Sequence, residues 1–342
     1  MVDIRSTEQD GLAVGMDGLA ACEDAGCRQV DLAVTLAGLQ FKNPLTTASG
    51  TFAPGQKYAE LWTEQGVAKS GAAFASLGAV TTKGVSPVAW PGNTGIRIDE
   101  SASGMLNSIG LENPGVEAFC ADDLLWLAAQ GAPIIVNVCG HTVAEYVAVI
   151  ERLEQEQTVS AYELNISCPN IDNSGMAFGI DPVAAAKLTK ACRAVTSRPM
   201  IVKLTPNVTD ITEVARAVEA AGADALSLIN TLAGMTIDLN RRKPVFDRVV
   251  AGLSGPAIKP VALWAVYRVY QAVRIPLIGM GGVRSVTDVV EFMLAGATVV
   301  GIGSYSFTDP LVIPRIARQL ADWCAENGVE QVSSLIGALH AA

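Results

Sequence analysis

Short apolar, β-branched runs alternate with stretches of helical periodicity along nearly the whole chain. Eight runs read as strands: 44–49, 79–83, 133–138, 162–167, 200–205, 225–230, 276–280 and 298–302. The segments between them carry helical stripes. Val143, Tyr146, Val147 and Ile150 form one; Ile211, Val214, Ala215 and Val218 form another, with Asp210 and Glu213 at its acidic start. Strands apolar on both faces suit a buried parallel sheet flanked by helices. Eight such βα units in about 300 residues predict an α/β protein of the (β/α)8 TIM-barrel class; an open doubly wound sheet is the alternative. The barrel is expected over residues 30–342. Residues 1–29 are expected to form a partly ordered N-terminal arm, acidic and glycine-containing, without the basic character of a targeting or membrane-surface helix.

In such a barrel the carboxyl ends of the strands face the functional site. Those ends read Ala48-Ser49-Gly50, Thr82-Lys83-Gly84, Asn137, Asn165 to Asn170, Lys203, Asn230-Thr231, Gly281-Gly282 and Gly303-Ser304. Polar, cationic and glycine-rich groups therefore gather where packing has no use for them.

The run Glu163-Leu164-Asn165-Ile166-Ser167-Cys168-Pro169-Asn170 is the most specific of these. It begins as a strand and ends with a cysteine between two asparagines. Such a tip suits a planar polar ligand that needs several hydrogen bonds and one proton transfer; an ordinary strand end with a turn is the plain alternative. Lys203 interrupts an apolar strand, where burial is costly unless its charge meets an anion. A lysine reaching out to solvent is the other reading. Lys83 follows the same logic and could pair with a carboxylate. The loops 279–282 and 301–304 end consecutive strands with glycines that let backbone N–H groups approach a phosphate, although tight turns use the same residues.

Composition narrows the field. Of 342 residues, half are hydrophobic, and the net charge is −10. That charge disfavours a nucleic-acid partner, and it requires local cations to attract any anionic substrate. Seven cysteines are scattered without a CxxC pair, and two histidines are too few for a histidine metal cluster, so no metal site is expected. No run approaches the roughly 20 apolar residues of a membrane helix. A reducing cytoplasm is the expected compartment.

From about Val30 onward, the chain resembles dihydroorotate dehydrogenases of class 1, and within them the B-type catalytic subunit. The resemblance rests on 43–52, on Leu106-Asn107-Ser108-Ile109-Gly110-Leu111-Glu112-Asn113-Pro114-Gly115, on Asn165 to Asn170, on 230–232, on 252–260 and on the two glycine loops. It implies bound FMN and oxidation of dihydroorotate to orotate in pyrimidine synthesis. Cys168 would be the general base. Lys83, Asn107, Asn165, Asn170, Asn230 and Thr231 would hold the substrate, helped by the backbone of Gly110 and Leu111. FMN would contact Ala48, Ser49, Lys83, Asn137, Asn165, Lys203, Gly255, Gly281, Gly282, Gly303 and Ser304. A cysteine base predicts activity that rises into mildly alkaline pH, because a thiol ordinarily titrates near 8.5. The resemblance further implies a homodimer and a partner subunit carrying FAD and an iron–sulfur cluster that passes electrons to NAD+.

The Val88-Ala89-Trp90 stretch and Ala251 depart from the family pattern. Two other functions stay open. One is a flavin domain of the dihydropyrimidine dehydrogenase type, acting on uracil or thymine. The other is a flavin-binding scaffold without catalysis.

Overall fold

The computed structural model describes residues 30–52, 55–167 and 178–340. Eight parallel strands form its centre: β1 (Leu45–Thr47), β2 (Val80–Thr81), β3 (Ile134–Val138), β4 (Val159–Asn165), β5 (Met200–Lys203), β6 (Ala225–Leu228), β7 (Leu277–Met280) and β8 (Val299–Ile302). Their order in the sheet is β1-β8-β7-β6-β5-β4-β3-β2, so β1 and β2 are its ends. These ends meet. Thr46 bridges Ala79 in parallel, and the Thr47 hydroxyl both donates to the Thr81 carbonyl and accepts from the Thr81 amide, each at 2.9 Å. The sheet is therefore a closed (β/α)8 barrel.

Each strand is followed by helix. These are α1 (Gln56–Glu64), α2 (116–128), α3 (Val143–Leu153), α4 (Pro182–Arg193), α5 (Ile211–Ala220), α6 (Lys259–Ala272), α7 (Val286–Leu294) and α8 (Val312–Glu326). Local sequence sets several of the starts. Thr142, Asp181 and Asp210 accept backbone N–H bonds at the N-termini of α3, α4 and α5. Ser285 and Asp288 form a reciprocal capping box at the start of α7. Within α2, Phe119–Leu124 widens into a π-helical turn.

All eight predicted strands form, but most are shorter than the apolar runs. β1 stops at Thr47, and β2 stops at Thr81, before Lys83. Beyond those points the chain leaves the ladder to build loops, and the polar residues at 48–50 and 82–84 belong to the loops. β4 begins earlier than predicted, at Val159, and ends at Asn165. The stripe of α5 is buried as expected, with Asp210 as its cap. In α3 the buried face is Tyr146, Val149, Ile150 and Leu153; Tyr146 and Ile150 match the predicted stripe, whereas Val143 and Val147 are only half-buried, and the Tyr146 hydroxyl donates to the Asn165 carbonyl at 2.7 Å.

Two additions flank the ends of the barrel, and a short ladder pairs Ile237–Asp238 with Lys243–Pro244. A hairpin of Val34–Leu36 and Leu39–Phe41 precedes β1, at the amino-terminal end of the barrel, with Leu36 and Phe41 buried. At the opposite end an antiparallel sheet pairs Leu232–Gly234, Ala251–Ser254, Gly104–Asn107 and Ile98–Ser101, in that order. Its strands come from the insertions after β2 and β6, so it stands over the carboxyl ends of the barrel strands. Residues 1–29, expected as an arm, lie outside the described part. Among the described residues no helix is long and apolar enough to cross a membrane.

Candidate active site

The carboxyl ends of the strands and the antiparallel sheet enclose a cavity of about 390 Å³. It is lined from the loop after β1 by Ala48 and Ser49, from the β2 loop by Lys83, and from β3, β4 and β5 by Asn137, Asn165 and Lys203. Asn230 and Thr231 follow β6, Gly281 and Gly282 follow β7, and Gly303 and Ser304 follow β8. The additional sheet and its flanks contribute Asn107, Gly110, Leu111 and Gly255. The structure thus brings together on one cavity every predicted site residue that it describes. Cys168 and Asn170 lie outside the described residues. The described cysteines Cys120, Cys139, Cys192 and Cys324 are buried, and none is among the residues lining this cavity. Burial pushes the Cys120 thiol up to about 11 and the Cys192 thiol to about 12, which suits inert core thiols.

Lys203 is 4% exposed, so it does not reach out to solvent. Its ammonium donates to the Ser49 hydroxyl at 2.7 Å. Burial lowers its pKa, and the charge of Glu163 acts in the opposite sense. Glu163 is itself fully buried on β4. It accepts from the Asn137 amide at 2.6 Å and from the Ser227 hydroxyl at 2.7 Å. A buried carboxylate and a buried ammonium thus lie within one polar layer, with hydrogen bonds on both.

Lys83 is partly exposed on the cavity wall. Desolvation lowers its pKa and Glu112 raises it, with Glu112 at 4.0 Å. Glu112 is held more closely by Arg97, at 2.9 Å. A second cavity of about 380 Å³ shares Lys83 and Glu112 and is lined by Trp90 and Phe119. The departure at Trp90 is accommodated there: its backbone pairs with Asn113, and its ring stacks on His141 at 4.2 Å.

After β7, both glycines are required by space. At Gly282, φ is +78°, and a Cβ would come within 2.8 Å of the Gly255 carbonyl oxygen and 2.9 Å of Lys259. At Gly281 a Cβ would meet that of Ala262 at 2.8 Å. This loop packs directly on the start of α6, which leaves its backbone open to the cavity. Lys259, the first residue of α6, donates to Asp288 at 2.6 Å and to Glu291 at 2.7 Å, tying α6 to α7 beneath the loop.

Sequence reading missed Glu163 as a functional group, together with Ser167, Ser227 and Asn207. The Ser167 hydroxyl donates to Asn165 and accepts from Asn230. Asn207 fixes the loop after β6 by donating to the Thr231 carbonyl at 3.0 Å and accepting from the Ala233 amide at 2.9 Å. Glu163 carried a usable signal, since it is a charge inside an apolar strand, the argument already applied to Lys203. The other three look like ordinary strand and turn residues.

Fold and site define a (β/α)8 barrel protein with a polar, cation-bearing ligand cavity at the carboxyl ends of its strands. The chain belongs to the dihydroorotate dehydrogenase family, whose model matches residues 31–323. It is 49% identical over 310 residues to the dihydroorotate dehydrogenase B (NAD(+)) catalytic subunit of Pelobacter propionicus, covering 91% of this chain and 99% of that protein. The proteins of the same name from Lachnoclostridium phytofermentans and Alkaliphilus oremlandii are 49% and 48% identical, covering 89% and 90% of this chain and 98% and 99% of theirs.

Proposed function

We propose that the protein oxidises dihydroorotate to orotate as an FMN-dependent catalytic subunit in pyrimidine synthesis, and that its electrons leave through a partner subunit to NAD+. The observation that carries this reading is the convergence of Lys83, Asn107, Asn165, Lys203, Asn230 and the two glycine loops on one cavity, in a chain of this family. When bound, FMN would accept the hydride from substrate C6. The residues present fit such a group. The glycine loops line the cavity, and glycine keeps side chains off the backbone N–H groups that would meet a phosphate there. Lys203 supplies a buried positive charge suited to the negative charge that the ring gains on reduction.

The chain's own part is to bind, orient and move a proton. Lys83 faces the substrate carboxylate. Asn107, Asn165, Asn170, Asn230 and Thr231 hold the ring amides, with backbone help from Gly110 and Leu111, fixing C6 for transfer. Cys168 removes the proton from C5 as general base. Ala48, Ser49, Asn137, Gly255, Gly281, Gly282, Gly303 and Ser304 complete the FMN site, to which Lys83 and Asn165 also belong. A cytoplasmic location and a homodimeric assembly belong to the same reading.

The purified protein should be yellow, with about one FMN per chain, and dihydroorotate should bleach it under anaerobic conditions. Spectroscopic titration checks this. A protein that stays colourless in excess FMN, or a bound flavin that responds to uracil and not to dihydroorotate or orotate, would overturn it.

A further inference from the structure

The polar groups on the cavity floor form one directed chain. The Asn230 amide nitrogen donates to the Ser167 hydroxyl at 2.5 Å, and that hydroxyl donates to the Asn165 amide oxygen at 2.9 Å. The Asn165 nitrogen donates to the Asn137 amide oxygen at 3.3 Å, and the Asn137 nitrogen donates to Glu163 at 2.6 Å. Ser227 approaches the other carboxylate oxygen from β6, also as a donor, at 2.7 Å.

An amide can turn over and exchange its donor for its acceptor, and a hydroxyl can rotate. A carboxylate only accepts. Glu163 is therefore the one member of the chain that cannot reverse. Asn137 must turn its nitrogen to Glu163, which presents its oxygen to Asn165. Asn165 must then give its nitrogen to Asn137 and its oxygen to Ser167. The Ser167 proton is committed to Asn165, so its oxygen is left to accept from Asn230. The Asn230 oxygen accepts from the Thr231 amide at 2.8 Å, which locks the far end in the same sense. Each of the three amide groups has one further N–H, and all three residues line the cavity.

We propose that Glu163 is a positioning residue that fixes the direction of this chain, so that Asn137, Asn165 and Asn230 offer N–H donors to a planar ring rich in carbonyl acceptors. The inference rests on the function proposed above and extends it. Selectivity for an acceptor-rich ring is imposed by a carboxylate that does not line the cavity. The burial of Glu163 follows from the same design. Solvent water would supply donors and acceptors alike and remove the constraint, whereas Asn137, Ser227 and the nearby Lys203 ammonium satisfy it within the barrel.

The test compares Glu163→Gln, Ser167→Ala and Ser227→Ala in the FMN-loaded protein by titrating orotate against the flavin spectrum and by thermal melting. Glu163→Gln keeps the shape but can donate, so Asn137 and Asn165 can turn over while Thr231 still holds Asn230; orotate Kd, read at saturating FMN, should rise about tenfold. Ser167→Ala cuts the chain between Asn165 and Asn230 and should raise Kd about fivefold. Ser227→Ala leaves the carboxylate in place; it should lower the melting temperature but keep orotate Kd within about twofold of wild type. Wild-type affinity in both Glu163→Gln and Ser167→Ala would overturn the inference alone. So would equal weakening in all three variants, which would make Glu163 a packing element only. If Glu163→Gln does not fold, Ser167→Ala decides in the same way. A wild-type flavin with no response to orotate would overturn the proposed function and this inference with it.

Discussion

Lys203 and Lys83 lie on the same cavity in different electrostatic settings. Lys203 is enclosed, bonded to Ser49 and close to the Glu163 charge. Lys83 is partly exposed, with Glu112 at 4.0 Å as a loose counter-ion that Arg97 holds more closely. An incoming carboxylate can therefore replace Glu112 beside Lys83 without leaving Glu112 unpaired. Lys83→Ala should keep FMN and weaken orotate binding by about 1.5–3 kcal/mol, the worth of a hydrogen bond to a charged group. Flavin-monitored titration reads the loss directly, and an unchanged Kd would remove Lys83 from the carboxylate site. Cys168→Ala should retain FMN and slow flavin reduction by dihydroorotate about 10²–10⁴-fold, as expected for loss of a positioned base. Anaerobic stopped-flow absorbance measures that step, and a wild-type rate would refute the assignment. Both lysines were legible in the sequence because a charge in an apolar run stands out. The role of Glu163 was not, although it stands in an equally apolar run. Its partners Asn137 and Ser227 are 26 and 64 residues away in the chain, and only barrel closure brings them to it.

Helices α6 and α7 support the glycine loop after β7 from below. Asp288 caps α7, accepts from the Arg284 and Ser285 backbone amides at 2.9 and 3.0 Å, and receives the Lys259 ammonium at 2.6 Å. Burial alone would raise the Asp288 pKa, but the ammonium and the N–H and hydroxyl donors outweigh it and hold the carboxyl below its usual range. A depressed folded-state pKa adds stability above the unfolded value, near 3.9, and that stability is lost as pH falls through the folded value. Asp288→Asn should therefore cost about 1–3 kcal/mol at neutral pH. The gap in melting temperature from wild type should close as the pH drops below about 4. It should also loosen FMN, because the loop that Lys259 braces lines the cavity. A melting difference that stays constant from pH 7 to pH 3 would disprove the ionic account. At this scale the sequence was most readable, since β-branched runs and capping residues are local signals. The strand ends were less so. Before Lys83, Thr81 and Thr82 suit a strand as well as a loop, and only the neighbouring strands decide where the ladder stops.

Across the whole molecule, the net charge of −10 offers no general attraction for an anion, so substrate must be drawn in at the cavity itself. That cavity lies under the antiparallel sheet supplied by the insertions after β2 and β6. In the proposed reaction this one cavity would hold both flavin and substrate. A nicotinamide could take a hydride directly only by entering the same space after orotate had left. The alternative is transfer of electrons through a bound partner, and the similar proteins are named as NAD(+)-linked catalytic subunits. These two routes make opposite forecasts. If a partner is needed, the purified chain with dihydroorotate should reduce a small artificial acceptor such as ferricyanide and yield no NADH from NAD+. Adding the electron-transfer subunit should then start NADH formation, with the rate saturating at a fixed ratio of the two chains. Absorbance at the NADH band follows both arms. Steady NADH production by the catalytic chain alone would refute the partner route and place nicotinamide binding on this barrel.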